Sequence, residues 1–255
     1  GLGASTPTRR KRLLSATGAG SAGPETAITG ARILAPISTE VRANTFTTGP
    51  QDGATVAHLD DGSFGVFWWG DQPDATPRGL DGIWGRVYRS DGRPVASAES
   101  LVDTRDVVSN VEPDAVRAAP GQFAVLWREY DNGDFPDDEL YVRLVDSEQG
   151  GVATPIKFAD AIGANDFHQS VSGTSPDGFV VAWTRTVPAA GPEASQIVAR
   201  RFDAAAQPAT AEVVVTPSPE NLPIAGSVLA PGARSFVVTW MELNQDGDGD
   251  DDDEE

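Results

Sequence analysis

Apolar and polar positions alternate along this chain in short runs, and one run returns four times. Phe64-Gly-Val-Phe-Trp68 recurs as Phe123-Ala-Val-Leu-Trp127, Phe179-Val-Val-Ala-Trp183 and Phe236-Val-Val-Thr-Trp240, with the Trp positions 59, 56 and 57 residues apart. A second run follows each of the first three Trp residues. It reads Ile83-Trp-Gly-Arg86-Val-Tyr88, Leu140-Tyr-Val-Arg143-Leu-Val145 and Ile197-Val-Ala-Arg200-Arg-Phe202, at intervals of 57 and 57 residues. Two anchors with one period define a structural repeat, and such a repeat is read before any single element.

Each unit predicts four short strands. Strand A is an alternating piece such as residues 54–59, and a Gly/Pro turn follows: Asp60-Asp-Gly-Ser63, Ala119-Pro-Gly-Gln122, Ser175-Pro-Asp-Gly178 or Ala230-Pro-Gly-Ala233. Strand B is the Phe-x-Val-x-Trp run, and strand C is the run that carries the arginine. A turn such as Ser90-Asp-Gly-Arg93 then leads into strand D, as in residues 94–102. In strand B, Phe, Val and Trp share one face, and the alternate positions are also small or apolar. A strand apolar on both faces is covered on both sides. Units of about 57 residues are too short to be separate sandwiches. The reading is therefore an all-β fold, a β-propeller of four-stranded blades.

The run Pro176–Trp183 and the run Ile197–Asp203 carry a resemblance. The chain resembles, over about residues 30–245, the propeller-like repeats of secreted bacterial proteins, including large adhesins and haemolysin-type calcium-binding proteins. That resemblance implies an extracellular or cell-surface module whose repeated motifs are structural. Unit three departs from it by lacking a Gly directly after Asp203 and by having no acidic loop.

The expected organisation is a linker over 1–26, strand D of a preceding blade over 27–48, and blades over 49–111, 112–169 and 170–226. A partial blade over 227–245 and an acidic tail or loop over 246–255 follow. The ring these make is incomplete, and the chain reads as a fragment of a larger propeller.

Charge narrows the partners. The net charge is −19, and eight acids fall in the last ten residues. An acidic surface repels phosphate backbones, which disfavours nucleic acid. Cysteine is absent, so disulfides, thiolate metal sites and thiol catalysis are excluded. No apolar run reaches the ~20 residues of a membrane span.

The short A–B and C–D turns lie on one face of each blade, and the longer B–C loops lie on the other, which makes the B–C face the expected binding face. Calcium is the candidate ion there. Asn244, Asp246, Asp248 and Asp250, with Gly249 for the bend and Glu255 at the twelfth position, follow the spacing of an oxygen-ligand loop. Asp131, Asp134 and Asp137 form a weaker second set.

Trp69 and Trp84 fall outside the repeated columns and are the candidates for exposed ligand-stacking residues. The repeated Trp68, Trp127, Trp183 and Trp240 read as core. No Ser-His-Asp spacing can be argued. The expected function is a non-catalytic binding or display module that takes a glycan or protein ligand, so the chain is not expected to be an enzyme. The alternatives are a structural spacer of a large surface protein, and part of a propeller hydrolase with its site outside this chain.

Overall fold

A computed structural model describes residues 41–71, 81–103, 110–129, 139–148, 150–151, 154–159, 166–174, 176–187, 194–216, 222–232 and 235–243. Every regular element among them is a β-strand. Residues 41–43 belong to a separate N-terminal unit, and the sheets lie in the unit Asn44–Glu255.

The strands form four antiparallel meanders. The first runs β1 (Gln51–His58), β2 (Phe64–Asp71), β3 (Asp81–Tyr88) and β4 (Ser100–Leu101). The second runs β5 (Asn110–Ala119), β6 (Gln122–Glu129), β7 (Glu139–Asp146) and β8 (Gly150–Gly151), with β9 (Ile156–Ala159) also paired to β7. The third runs β10 (Asp166–Gly173), β11 (Phe179–Thr186), β12 (Ser195–Phe202) and β13 (Val213–Val214). The fourth holds β14 (Leu222–Gly232) and β15 (Ser235–Leu243).

The expected outer strand over residues 94–102 is corrected. It is interrupted: Pro94 bridges Tyr88 and the Val95 amide donates to the Val87 carbonyl, Ser100–Leu101 pairs with β3 and the Val102 amide donates to the Ile83 carbonyl, but residues 96–99 make no ladder with it. Ala96, Ser97 and Ala98 are exposed, so the middle of that edge has little apolar side chain to hold it against a neighbour, whereas Val102 at its end is buried.

The sheets pack face to face in one direction. Phe123, Val125 and Trp127 of the second sheet bury against Phe67 and Trp69 of the first. Phe179, Val181 and Trp183 of the third bury against Ala124 and Leu126 of the second. Phe236 and Val238 of the fourth pack on Val180 and Ala182 of the third. One face of each strand B thus supplies large groups, and its other face receives those of the next sheet.

The receiving column compensates for size. Phe67 pairs with Gly85, Leu126 with Val142, and Ala182 with Ala199. A Cβ on Gly85 would lie 2.4 Å from the Phe67 ring, and one on Gly65 would lie 2.6 Å from it. Glycine is required at both places because Phe67 is fully buried and meets Phe123 edge-on at 5.7 Å.

The turns follow the residues that build them. Gly62, Gly92 and Gly178 take φ of 83°, 80° and 97°. In unit three, where glycine was missed in the sequence, Ala206 takes φ 58° inside the turn closed by Asp203 and Gln207.

The strand C arginines are structural. Arg86 donates to the Ala96 and Ser97 carbonyls, Arg200 to the Thr210 carbonyl, and Arg143 crosses to the Val102 carbonyl of the first sheet.

Polar side chains stitch the A strands together. The Thr55 hydroxyl donates to Asp114, whose other oxygen accepts from the Val171 amide at 3.1 Å. One sheet on, Ser170 and Ser172 accept from the Val228 and Ala230 amides, each at 3.1 Å. Arg117 joins the A–B turns of three sheets, pairing with Asp60 at 2.8 Å and Asp177 at 3.0 Å.

Burial pushes the Asp114 carboxyl above the ordinary aspartate value of 3.8, against hydrogen bonds from Ala115, Val171 and Thr55. The folded state therefore holds that proton more tightly than the unfolded chain. Stability is lost as pH rises from 3.8 through the folded value, opposite in sign to a salt-bridged carboxylate. Asp114→Ser installs the residue used at the equivalent position 170. The variant should gain stability relative to the parent as pH is raised from about 3 to 7, read as urea midpoints. A pH-independent difference between the two proteins would refute this.

Candidate functional site

Each A strand carries a bulge, and all four fall at the same place. Two residues, Gly53–Ala54, Glu112–Pro113, His168–Gln169 or Ala225–Gly226, oppose the single repeat Trp of strand B. The register shifts lie between Asp52 and Thr55, Val111 and Asp114, Phe167 and Ser170, and Ala225 and Ser227. This is the end of strand B that leads into the B–C loop. A bulge releases backbone from the ladder and re-aims its side chains, and bulges gather beside functional sites.

The rim so formed mixes one aromatic with polar groups. Trp69 is half-buried, and its ring edge lies 2.7 Å from where a Cβ on Gly53 would stand, with Pro113 of the next sheet 3.6 Å from the same point. Gly53 takes φ 59°, and glycine there leaves the space the indole occupies. Asp52 pairs with Trp69 across the strands and is exposed.

Glu112 takes φ 55°, a left-handed conformation uncommon for a residue with a Cβ. Its carboxylate is 3.8 Å from Arg128, and its carbonyl accepts from the side-chain amide of Gln169 on the third sheet. Farther out at the same end, Glu139 accepts from Tyr141 and Lys157, and Arg185 grips Glu212 through two bonds of 2.6 and 3.3 Å.

The sequence-derived candidates fare unequally. Trp84, expected to be exposed, is corrected: it is 4% exposed, and its indole N–H donates to the Gly70 carbonyl at 3.0 Å. Its ring fits because Gly82 has no side chain, so the indole settles between that glycine and Leu101. Trp69 is half-buried and packs against the cluster built on Phe67 and Phe123. Asn244, Asp246, Asp248, Asp250 and Glu255 lie outside the described residues, as do Asp131, Asp134 and Asp137. Among the described residues no group of three His, Cys, Asp or Glu is placed to hold a metal ion, and no helix is long and apolar enough to cross a membrane.

Asp52, Glu112 and Gln169 were missed in the sequence. Their one signal is a break in alternation, a residue too many near the start of strand A, marked by Gly53, Pro113 and Gly226. A separate crevice of about 90 Å³ lies toward the C–D turns, lined by Phe67, Val87, Val102, Arg86 and Glu148.

No family model matches the chain, and no curated protein matches it. Solved structures do. An α-L-arabinofuranosidase from Lactobacillus brevis aligns at TM-score 0.44 and 12% identity, over 66% of this chain and 54% of that one. An ulvan lyase of polysaccharide lyase family 25 aligns at TM-score 0.43 and 10% identity, over 69% and 48%. An endo-arabinase from Bacteroides thetaiotaomicron aligns at TM-score 0.41 and 11% identity, over 77% and 78%. The chain spans about half the length of the first two. The likeness is one of general β architecture. The expectation that the chain is not an enzyme is corrected: the solved structures it aligns with are an arabinofuranosidase, a lyase and an endo-arabinase, and an all-β fold by itself assigns neither catalysis nor binding.

Proposed function

We propose that this chain supplies blades of a carbohydrate-active β-propeller and that the bulged rim meets the sugar. The observation that carries the reading is the alignment of four bulges opposite the repeat Trp, with Trp69, Asp52, Glu112, Arg128 and Gln169 gathered at that end. Sugars offer apolar ring faces and many hydroxyls. A half-buried indole beside planar carboxylate, guanidinium and amide groups suits both. A pair of carboxylates at such a rim is also the chemistry that glycoside cleavage needs. Calcium belongs to the same proposal through the acidic loops that hold Asp131 and Asp246.

The test is affinity electrophoresis of the full chain in gels containing neutral or uronic-acid polysaccharides, with and without calcium, alongside assays for released reducing ends or unsaturated products. At least one polysaccharide should retard the protein. Trp69→Ala should abolish the retardation, a loss of tenfold or more in affinity, while the protein stays folded. Glu112→Gln should reduce any product release more than it reduces retardation. Neither retardation nor product with any polysaccharide would remove the carbohydrate reading.

A further inference from the structure

Residues 44–50 lead into β1, and two side chains of the first sheet hold them. From the outer edge comes Glu99. Its carboxylate accepts from the Thr45 amide at 3.0 Å, from the Phe46 amide at 2.8 Å and from the Thr45 hydroxyl. From β1 comes Gln51, whose side-chain amide donates to the Phe46 carbonyl at 2.8 Å. Asn44 donates to that same carbonyl at 2.8 Å and to the Gln51 side-chain oxygen.

Both holders stand on the face that carries Trp68 and Trp84. Gln51 is opposite Gly70 in the ladder, and a Cβ on Gly70 would lie 2.8 Å from the Gln51 Cγ and 2.9 Å from the Pro50 carbonyl oxygen. Gly70 shares its face with Trp68 by strand alternation. Glu99 comes two residues before Leu101, which is opposite Trp84. β1 and β4 are the two edges of this sheet, three strand spacings or about 14 Å apart. Held from both edges, Thr45 and Phe46 are placed over the middle strands, where Trp68 and Trp84 are directly opposite each other. Both indoles are only 4% exposed.

We propose that residues 44–50 are a strap closed over the paired Trp68 and Trp84, with Glu99 as its clasp, and that neutralising Glu99 releases it. A carboxylate offers acceptors to all three donors at once, and a protonated carboxyl offers fewer. The strap itself carries no charge. On β3 the charged group of that face is Arg86, committed to the Ala96 and Ser97 carbonyls; on β1 it is His58, exposed at the far end of the strand. Burial opposes the Glu99 charge, but the hydrogen bonds from Thr45 and Phe46 outweigh it and hold the carboxyl below its ordinary 4.5. The clasp therefore contributes above pH 4.5 and is lost as pH falls through the lower folded value. The inference concerns a moving part and stands apart from the sugar reading.

The experiment is chymotrypsin digestion of the full chain near neutral pH, which cuts after Phe46 once the strap lifts. Glu99→Ala should speed that cut about tenfold or more, while the amides of β6 and β11 keep their hydrogen-exchange protection. Thr45→Val, which leaves the sheet untouched, should act in the same direction by a smaller factor. Acrylamide quenching of tryptophan fluorescence should rise in Glu99→Ala. It should also rise in the parent, but no further in the variant, as pH falls below 4.5. An unchanged rate of cleavage at Phe46 would overturn the proposal. So would faster cleavage with unchanged quenching, which would mean that the strap covers neither indole. Lost protection in β6 and β11 would overturn it too, by making Glu99 a support of the whole fold.

Discussion

Trp183→Ala is expected to destabilise the protein by about 3–5 kcal/mol, the most damaging single truncation in the described core. Trp183 is fully buried. It lies in the largest apolar cluster, meets Phe158 edge-on at 5.9 Å, and carries the Arg185 guanidinium 5.4 Å above its ring. Its removal opens a cavity at a seam between two sheets, where Ala124 and Leu126 are held by their own ladders and cannot collapse inward. Urea unfolding should show a lower midpoint with the slope retained. Trp69→Ala, at the rim and already half-exposed to water, should lose far less. A Trp183→Ala loss below about 1 kcal/mol would mean that the seams do not carry the stability.

The second large effect is expected at Gly85. Gly85→Ala should lower stability by about 1–3 kcal/mol, because the new methyl overlaps a buried ring that Phe123 and Gly65 hold from the other sides. The deciding measurement is a double-mutant cycle. Phe67→Ala alone opens a cavity. Phe67→Ala with Gly85→Ala reproduces the Ala182–Ala199 pair of the third sheet, and it should be more stable than the sum of the single losses by about 1 kcal/mol or more. Additive losses would show that the ring and the glycine do not constrain each other.

Much of the architecture was legible because the seams reuse the same columns. Phe123, Val125 and Trp127 repeat as Phe179, Val181 and Trp183 since each set must enter the same kind of receiving surface. The turns were legible through Gly62, Gly92 and Gly178, whose left-handed angles leave a residue signature. The outer strand was not, because alternation in residues 94–102 reads the same whether or not a neighbour covers it. Trp84 was misjudged for a related reason: its cover comes from Gly82, Gly70 and Leu101, and an absent side chain leaves no hydrophobic mark.

The candidate site was the least legible part. Trp69 could be named because it breaks the repeat. Glu112 and Gln169 could not, since a bulge is an extra residue in a ladder and is visible only once the partner strand is known. The acidic loop residues stand out by composition alone, and composition fixes no geometry.

The stitches between A strands have a consequence for how such a chain can grow. Thr55, Asp114, Ser170 and Ser172 each reach a main-chain amide or the next polar group across the seam, and an amide is present whatever residue bears it. The seam therefore asks only for a short oxygen-bearing side chain on one bank. A duplicated stretch of gene encoding one unit would arrive with its docking partner already in place, and the copies could then drift apart in sequence without coming undone.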